Sequence, residues 1–405
     1  MNICVVGQGY VGLPISIYAA RAGYTVYGYD TDKDKITELR KGNIFSPEVN
    51  SEEFLELLSN KKINLISELK SNMSISIFII AVPTPLNEIH EPDISMLKKA
   101  CKSIAQVITP NSLVINESTS FIGTLRGFIK PLIDKESKAI GLKYAVAPER
   151  IDPGNKTWTV SSTPRIISGL STDAINEAVH FYKSFCSIVR VVAQPEIAEA
   201  AKLIENTFRQ VNIALVNELS EVAGKYSFSL HDAINAAATK PFGFMPFYPS
   251  VGVGGHCIPV DPSYLVYSAN KVGIKTQLIN LANSINLNMP ESIVTRIETY
   301  MGSKLSGKTI QIVGISYKVD VADTRESPAI QLINILRSKG AIVTWCDPIV
   351  ENFNEEKSSL LTPNIDLGLI ITPHASIDLS VWKEASTKVL DLSTNSTNYG
   401  WDKFL

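Results

Sequence analysis

The chain is short of several things that would place it in specialised classes. Its 405 residues include only five cysteines, at 4, 101, 186, 257 and 346, an odd number, widely spread and without a CxxC pair. That excludes a disulfide framework and argues against a zinc site, so no metal is expected and a reducing cytoplasm is the natural compartment. No run approaches the ~18 apolar residues of a membrane span. The opening "MNICVVGQGYVG" lacks a basic region before its apolar run and does not read as a signal peptide. Neither charge dominates: 38 basic residues stand against 40 acidic ones, a formal net charge of -2, so no field draws nucleic acid or an anionic membrane. Any acidic ligand must be held by local sites. Low-complexity segments and short-period repeats are also missing. What remains, at 45% hydrophobic and 19% charged, is a globular chain of two or three domains.

Strand and helix alternate at both ends. "NICVVGQG" is a β-branched run that ends in glycines, "LPISIYAARAG" reads as a helix and "YTVYGYD" as the next strand, which makes a βαβ unit. With "SIFIIAVPTP" and "SLVINEST" as further strands and "DISMLKKACKSIAQVI" as a helix, the first part predicts a parallel sheet covered on both faces. From Pro195 to about Thr239 helix formers predominate without an internal proline, which predicts a long helix, a break near "YSFS" and shorter helices. The alternation resumes with "TIQIVGIS", "SPAIQLINILRSKG", "AIVTWCDP" and "DLGLIIT", a second α/β domain.

Gly7, Gly9 and Gly12 form a GxGxxG turn between a strand and a helix, where glycines permit a tight turn, approach of a pyrophosphate and close helix packing. Asp30 ends the next strand, placed to bind a ribose 2'-hydroxyl and to disfavour a 2'-phosphate, so NAD is the expected cofactor. Thr84, Ser118 and Thr119 follow candidate strands, at the edge where ligands of parallel sheets gather. "APERIDPGN" sets Glu149 and Arg150 in a rigid loop, as general base or water holder on one reading and as a salt-bridged turn on the other. Lys202, Asn206 and Arg209, at i, i+4 and i+7, share a face of the long helix. In "VGVGGHCIPVD", Gly252, Gly254 and Gly255 allow close backbone approach next to Cys257, and Asp261 follows between prolines. A thiolate there is a nucleophile that a cation such as Lys202 would stabilise.

"GQGYVGLP", "AVPTP", "EST", "PERIDPGN", "AAKLIENTFRQVNIALVNEL", "GVGGHCIPVDPSYL" and "GISYKVDVADTRESP" occur in the order that resembles the UDP-glucose/GDP-mannose dehydrogenase family of nucleotide-sugar 6-dehydrogenases. The likeness is greatest to its UDP-N-acetylglucosamine 6-dehydrogenase branch. The resemblance implies an α/β protein with two Rossmann-like doubly wound domains joined by a long central helix and a helical middle domain. The expected division is 1–194 for NAD, 195–300 for dimerisation and the cysteine loop, and 301–405 for the UDP-sugar. It implies four-electron oxidation of a C6 alcohol to a carboxylate, for surface polysaccharide synthesis, through a thiohemiacetal and a thioester on Cys257. Lys202 and Asn206 would stabilise the C6 oxygen, Asp261 and Thr119 would hold water and base, and Glu149 would assist hydrolysis. Tyr10, Val11, Lys35, Thr84, Thr119 and Arg325 would join the glycines and Asp30 around NAD. Glu149, Arg150, Ile151, Lys202, Asn206, Arg209, Tyr248, Gly254, Tyr317 and Lys318 would meet the UDP-sugar. A homodimer or higher homo-oligomer through the central helix is implied as well.

The chain departs from the family pattern at three places. Val260 replaces the lysine of a "PKD" triplet, as in branches that act on acetamido sugars. Ser393 occupies a turn where relatives carry a basic residue. Phe121 and Ile122 stand where a small residue and a proline are expected. The apolar segment Phe242 to Phe247 offers a wall for an acetamido methyl, or else packing for an interface. UDP-N-acetylmannosamine, UDP-N-acetylgalactosamine and UDP-glucose are alternative substrates. A one-step hydroxyacid dehydrogenase would lack the cysteine loop, and a non-catalytic nucleotide-sugar binder need not keep Cys257, Lys202 and Asp261 together.

Overall fold

The structure, a computed structural model, describes residues 1–44, 49–152, 155, 157–255, 257–394, 399–401 and 403–405. Two compact units divide the chain: Met1–Glu205 with Ser263–Gly273, and Asn206–Pro262 with Ile274–Leu405.

The first unit runs β1 (Asn2–Val6), α1 (Gly12–Arg21), β2 (Thr25–Tyr29), α2 (Lys33–Arg40), α3 (Ser51–Ser59), β3 (Ile63–Ile66), β4 (Ile77–Ile80), α4 (Ser95–Ala105), β5 (Leu113–Asn116), α5 (Lys130–Glu136), β6 (Lys143–Val146), β7 (Arg165–Gly169), α6 (Thr172–Lys183) and β8 (Val189–Val191). These strands form one eight-stranded sheet in the order β3-β2-β1-β4-β5-β6-β7-β8, which reverses direction between β1 and β4. That reversal opens the crevice in which doubly wound sheets bind ligands. Alternate residues of β1 feed two cores: Ile3 and Val5 one, Cys4 and Val6 the other. A two-residue period on a sheet covered on both faces explains why β4 and β5 read as continuous apolar runs. The expectation of an all-parallel sheet needs one correction, because β7 pairs antiparallel with β6. The described residues between them, 147–152, 155 and 157–164, contain no α-helix, and a parallel partner would require a long crossover.

α7 (Pro195–Tyr226) starts in the first unit and continues in the second, where α8 (Leu230–Ala238) follows. The expected break near "YSFS" falls at Ser227, with φ of 59°, and Ser229 then caps α8 by accepting from Asp232 N at 3.2 Å. Next come α9 (Asp261–Lys271), α10 (Gln277–Met301), β9 (Thr309–Val313), α11 (Pro328–Ser338), β10 (Ile342–Cys346), β11 (Asn352–Phe353), β12 (Glu356–Lys357), β13 (Leu367–Ile370), α12 (Ser380–Glu384) and β14 (Val389–Asp391). Four of these strands make a parallel sheet in the order β10-β9-β13-β14.

The two sheets share an elbow. Gly7 after β1 has φ of +96° and donates to Tyr29 O at 2.8 Å, and Gly314 after β9 has φ of +81° and donates to Cys346 O at 2.9 Å. The following amide meets an aspartate in both: Gln8 N to Asp30 and Ile315 N to Asp347, each at 2.9 Å.

Candidate active site

In the first unit the glycines of the turn do different work. A Cβ on Gly7 would lie 2.4 Å from Ala81 O, and one on Gly12 would lie 1.8 Å from Gly7 O, so both are demanded by the fold itself. A Cβ on Gly9 would meet nothing within 4 Å. Packing does not explain glycine at that position, whereas a pyrophosphate approaching the backbone does, and this fits the residues to NAD. Asp30 Oδ2 accepts from Gln8 N at 2.9 Å and from Lys35 Nζ at 3.0 Å, which joins two of the residues expected around NAD. Tyr10 and Val11 lie half-buried on the turn before α1.

Beyond β4 and β5 the three predicted hydroxyls separate. Ser118 Oγ spans Val82 N at 2.9 Å and Val82 O at 2.8 Å, so it ties the two strand ends together. Thr84 is buried, its carbonyl accepting from Tyr264 Oη at 3.1 Å, while Thr119 is half-buried. Next to Thr119 stands a cluster that the sequence did not reveal. Glu117 takes Arg165 Nη1 at 2.9 Å and also accepts from Tyr182 Oη, with all three side chains buried. Burial raises the Glu117 carboxyl even against Arg165. Glu149 and Lys202, both buried, approach to 3.8 Å, and Glu149 also accepts from Ile151 N. The Arg150 guanidinium binds Glu205 on α7 at 2.6 Å and Pro164 O at 2.8 Å.

In the second unit Asn206, one turn beyond Lys202 on α7, donates to Asp261 Oδ2 at 2.5 Å, and both are buried. Arg209 completes the expected face but is exposed. The Cys257 carbonyl accepts from Val260 N at 3.2 Å and Asp261 N at 2.8 Å, a turn that leads into α9. Cys4, Cys101 and Cys186 are buried, and burial pushes the Cys101 thiol up to about 12 and the Cys346 thiol up to about 11. Cys257 is partly exposed, unlike those three. The close approach permitted by its glycines is made within the protein. Cβ atoms on Gly254 and Gly255 would lie 2.8 and 2.7 Å from Tyr317, and one on Gly252 would lie 2.9 Å from Asn286 O.

A cavity of about 300 Å³ in this unit is lined by Gly252, Gly254, Tyr317, Lys318, Thr372 and Ser393, among others. It joins three of the predicted substrate residues, Gly254, Tyr317 and Lys318. At its rim the sequence left Ser393 without the expected cation. Lys403, from the chain end, brings its ammonium 2.9 Å from Ser393 Oγ and 3.0 Å from Asp391 Oδ2. Arg325 forms a paired contact with Asp323, at 2.6 Å for the closest atoms. Tyr248 donates to Asn235 Oδ1 at 2.7 Å and stacks on His231, so its ring belongs to the α8 packing. Phe242, Phe244 and Met245 are exposed, and Phe247 packs edge-on against Phe208. Among the described residues no cluster of three His, Cys, Asp or Glu could hold a metal, and no helix is long and apolar enough to cross a membrane.

A doubly wound sheet that ends in a glycine elbow for a dinucleotide defines the class of NAD-dependent dehydrogenases. The chain belongs to the UDP-glucose/GDP-mannose dehydrogenase family: the NAD binding domain matches residues 1–186, the central domain 196–288 and the UDP binding domain 311–394. Members are NAD-dependent UDP-sugar dehydrogenases that act on a CH–OH group. A UDP-N-acetyl-D-mannosamine dehydrogenase of Pyrococcus horikoshii is 34% identical, over 95% of this chain and 92% of that one. A UDP-N-acetyl-D-glucosamine 6-dehydrogenase of Pseudomonas aeruginosa is also 34% identical, over 86% and 83%. The solved structure of a Pyrococcus horikoshii UDP-D-ManNAc dehydrogenase superposes with a TM-score of 0.88 at 32% identity, covering 98% of this chain and 96% of that one.

Proposed function

We propose that the protein oxidises the C6 alcohol of UDP-N-acetylglucosamine to the carboxylate in two steps on Cys257. The observation that carries this reading is the buried Asn206–Asp261 pair at 2.5 Å, joined through the Asp261 amide to the Cys257 turn. NAD, when bound, supplies the acceptor for the hydride in each of the two oxidations. Lys202 and Asn206 hold the C6 oxygen as negative charge develops on it, which lowers the barrier to hydride loss. An aldehyde cannot lose a second hydride directly, so the Cys257 thiolate adds to it and keeps it attached as a thiohemiacetal. Its oxidation leaves a thioester, which water opens while Asp261 and Thr119 position that water and Glu149 takes its proton. The Lys202 ammonium stands 3.8 Å from the Glu149 carboxylate. Lys318 and Tyr317 meet the nucleotide in the second-unit cavity, and Lys403 replaces the missing cation at Ser393. Glycines 7, 9 and 12, Asp30, Lys35 and Arg325 serve the cofactor.

The division at 1–194, 195–300 and 301–405 accompanies this reading, as does a cytoplasmic setting. A homodimer through α7 is supported by exposed Ile204, Phe208, Leu215, Leu219 and Val222, which lie along one stripe of that helix. The sugar is assigned from Val260 and the likeness of residues 239–265. Because Phe242, Phe244 and Met245 are exposed, recognition of the acetamido group falls to hydrogen bonds rather than to an apolar wall. A second reading, the C2 epimer UDP-N-acetylmannosamine, is favoured by the relative that spans 95% of the chain. Measuring kcat/KM and NADH yield for both epimers, the C4 epimer and UDP-glucose tests the proposal. Two NADH per carboxylate and a preference for UDP-N-acetylglucosamine are expected, with carboxylate formation reduced by orders of magnitude in Cys257→Ser. Carboxylate from Cys257→Ser at the wild-type rate would sink the mechanism, and a preference for another sugar would sink only the substrate assignment.

A further inference from the structure

We propose that Glu199 is a positioning residue that fastens the loop carrying Thr119 to α7, while Phe121 and Ile122 fasten the same loop to α9. This rests on the roles given above to Thr119 and Lys202. Glu199 is 2% exposed and lies three residues before Lys202 on α7. One of its carboxylate oxygens accepts from Gly123 N at 2.5 Å and the other from Leu125 N at 2.9 Å. Leu125 opens the π-helical turn Leu125–Ile129, and amides at such a start have no partner within their own helix. An ionised carboxylate can take two such amides, whereas a carboxamide side chain offers only one acceptor oxygen.

The opposite side of the loop is tied through the two residues that depart from the family pattern. Ile122 N donates to Ser268 Oγ on α9 at 3.1 Å, a bond that proline could not make. The Phe121 ring lies 5.4 Å from that of Tyr267, and the Lys271 ammonium stands 4.0 Å from the Phe121 centroid. A small residue would forfeit both contacts. The loop after β5 is therefore pinned between the helix that carries Lys202 and the helix that follows the Cys257 turn, and small displacements of such elements cost much turnover.

Burial pushes the Glu199 carboxyl up to about 7, with the amides of Leu125 and Gly123 acting in the other direction and Glu196 adding to the rise. Glu196, earlier on α7, is paired with Arg126 at 2.7 Å, Lys202 lies beyond it toward Glu149, and Lys271 covers Phe121. Above this pKa the carboxylate holds both amides, and below it the added proton occupies one acceptor and loosens the clasp.

The test is steady-state kinetics of the full chain as Glu199→Gln, Ser268→Ala and Thr119→Ala, at pH values on both sides of 7. In Glu199→Gln, kcat/KM for NAD is expected to fall by at least ~10-fold above neutrality, and the acid-side decline centred near 7 to disappear. The Kd for UDP, measured by calorimetry, is expected to stay within ~2-fold of wild type. Wild-type turnover and an unchanged acid limb in Glu199→Gln, with Thr119→Ala impaired, would overturn the clasp alone. Wild-type turnover in Thr119→Ala would instead overturn the reading beneath it. Should Glu199→Gln fail to fold, Ser268→Ala decides: a loss of ~3-fold or more in the same parameter supports the clasp, and wild-type kinetics refutes it.

Discussion

Replacing Gly9 with alanine separates the two kinds of work done by the glycines after β1. The new Cβ would meet no protein atom within 4 Å, and Gly9 does not have a positive φ, so the folded state accommodates it. The loss of backbone freedom in the unfolded chain even favours folding, by ~0.4–1 kcal/mol. Gly7→Ala differs because φ is +96° and the Cβ would stand 2.4 Å from the Ala81 carbonyl oxygen. A left-handed conformation costs ~1–2 kcal/mol and overpacking ~1–3 kcal/mol, together roughly 2–5 kcal/mol. Gly12→Ala is harsher still, with a contact of 1.8 Å to Gly7 O that only an opened turn can relieve. At ~2–4 °C per kcal/mol for a unit of this size, Gly7→Ala lowers the Tm of the first unit by roughly 4–20 °C. Gly9→Ala leaves the Tm at or above that of wild type, by up to ~4 °C. Its NAD affinity nevertheless falls by at least ~10-fold, since the methyl group occupies the approach of the pyrophosphate. Scanning calorimetry and NAD titration of the three variants decide the matter. Wild-type NAD binding by Gly9→Ala would refute the ligand role of that glycine, and melting as early as Gly12→Ala would refute the geometric argument.

Asp30, fixed by Gln8 N at 2.9 Å and Lys35 at 3.0 Å, is expected to make kcat/KM for NAD exceed that for NADP by at least ~10-fold, equivalent to ~1.4 kcal/mol. Equal use of both cofactors would contradict it. On α7, Leu215 is 54% exposed in the single chain, so Leu215→Asp should change monomer stability by less than ~0.5 kcal/mol while breaking a dimer built on that stripe. Sedimentation should show the dimer mass fall to that of a monomer, and a monomeric wild-type protein would remove the α7 interface.

Much of the molecule was legible in the sequence because it is written locally. β-branched runs, glycine turns and helical spacing act over a few residues, so β1, the GxGxxG elbow, α1, β2 and the break between α7 and α8 stand where those patterns put them. The cysteine turn is also local, its carbonyl reaching only to Val260 and Asp261. Helical spacing put Lys202, Asn206 and Arg209 on one face, but could not say that the neighbours covering the first two stop short of Arg209, which is exposed. Nor could any window see the charged partners. Glu117 meets Arg165 48 residues away and Tyr182 65 residues away, and Glu199 caps amides 74 and 76 residues back. Lys403 reaches Ser393 from a chain end in which no motif was visible. Buried charges require partners, but strand order and helix packing choose them. Local chemistry thus marked which elements form and where the candidate reactive groups lie along the chain, while tertiary packing alone decided which groups meet, which are desolvated and which remain in water.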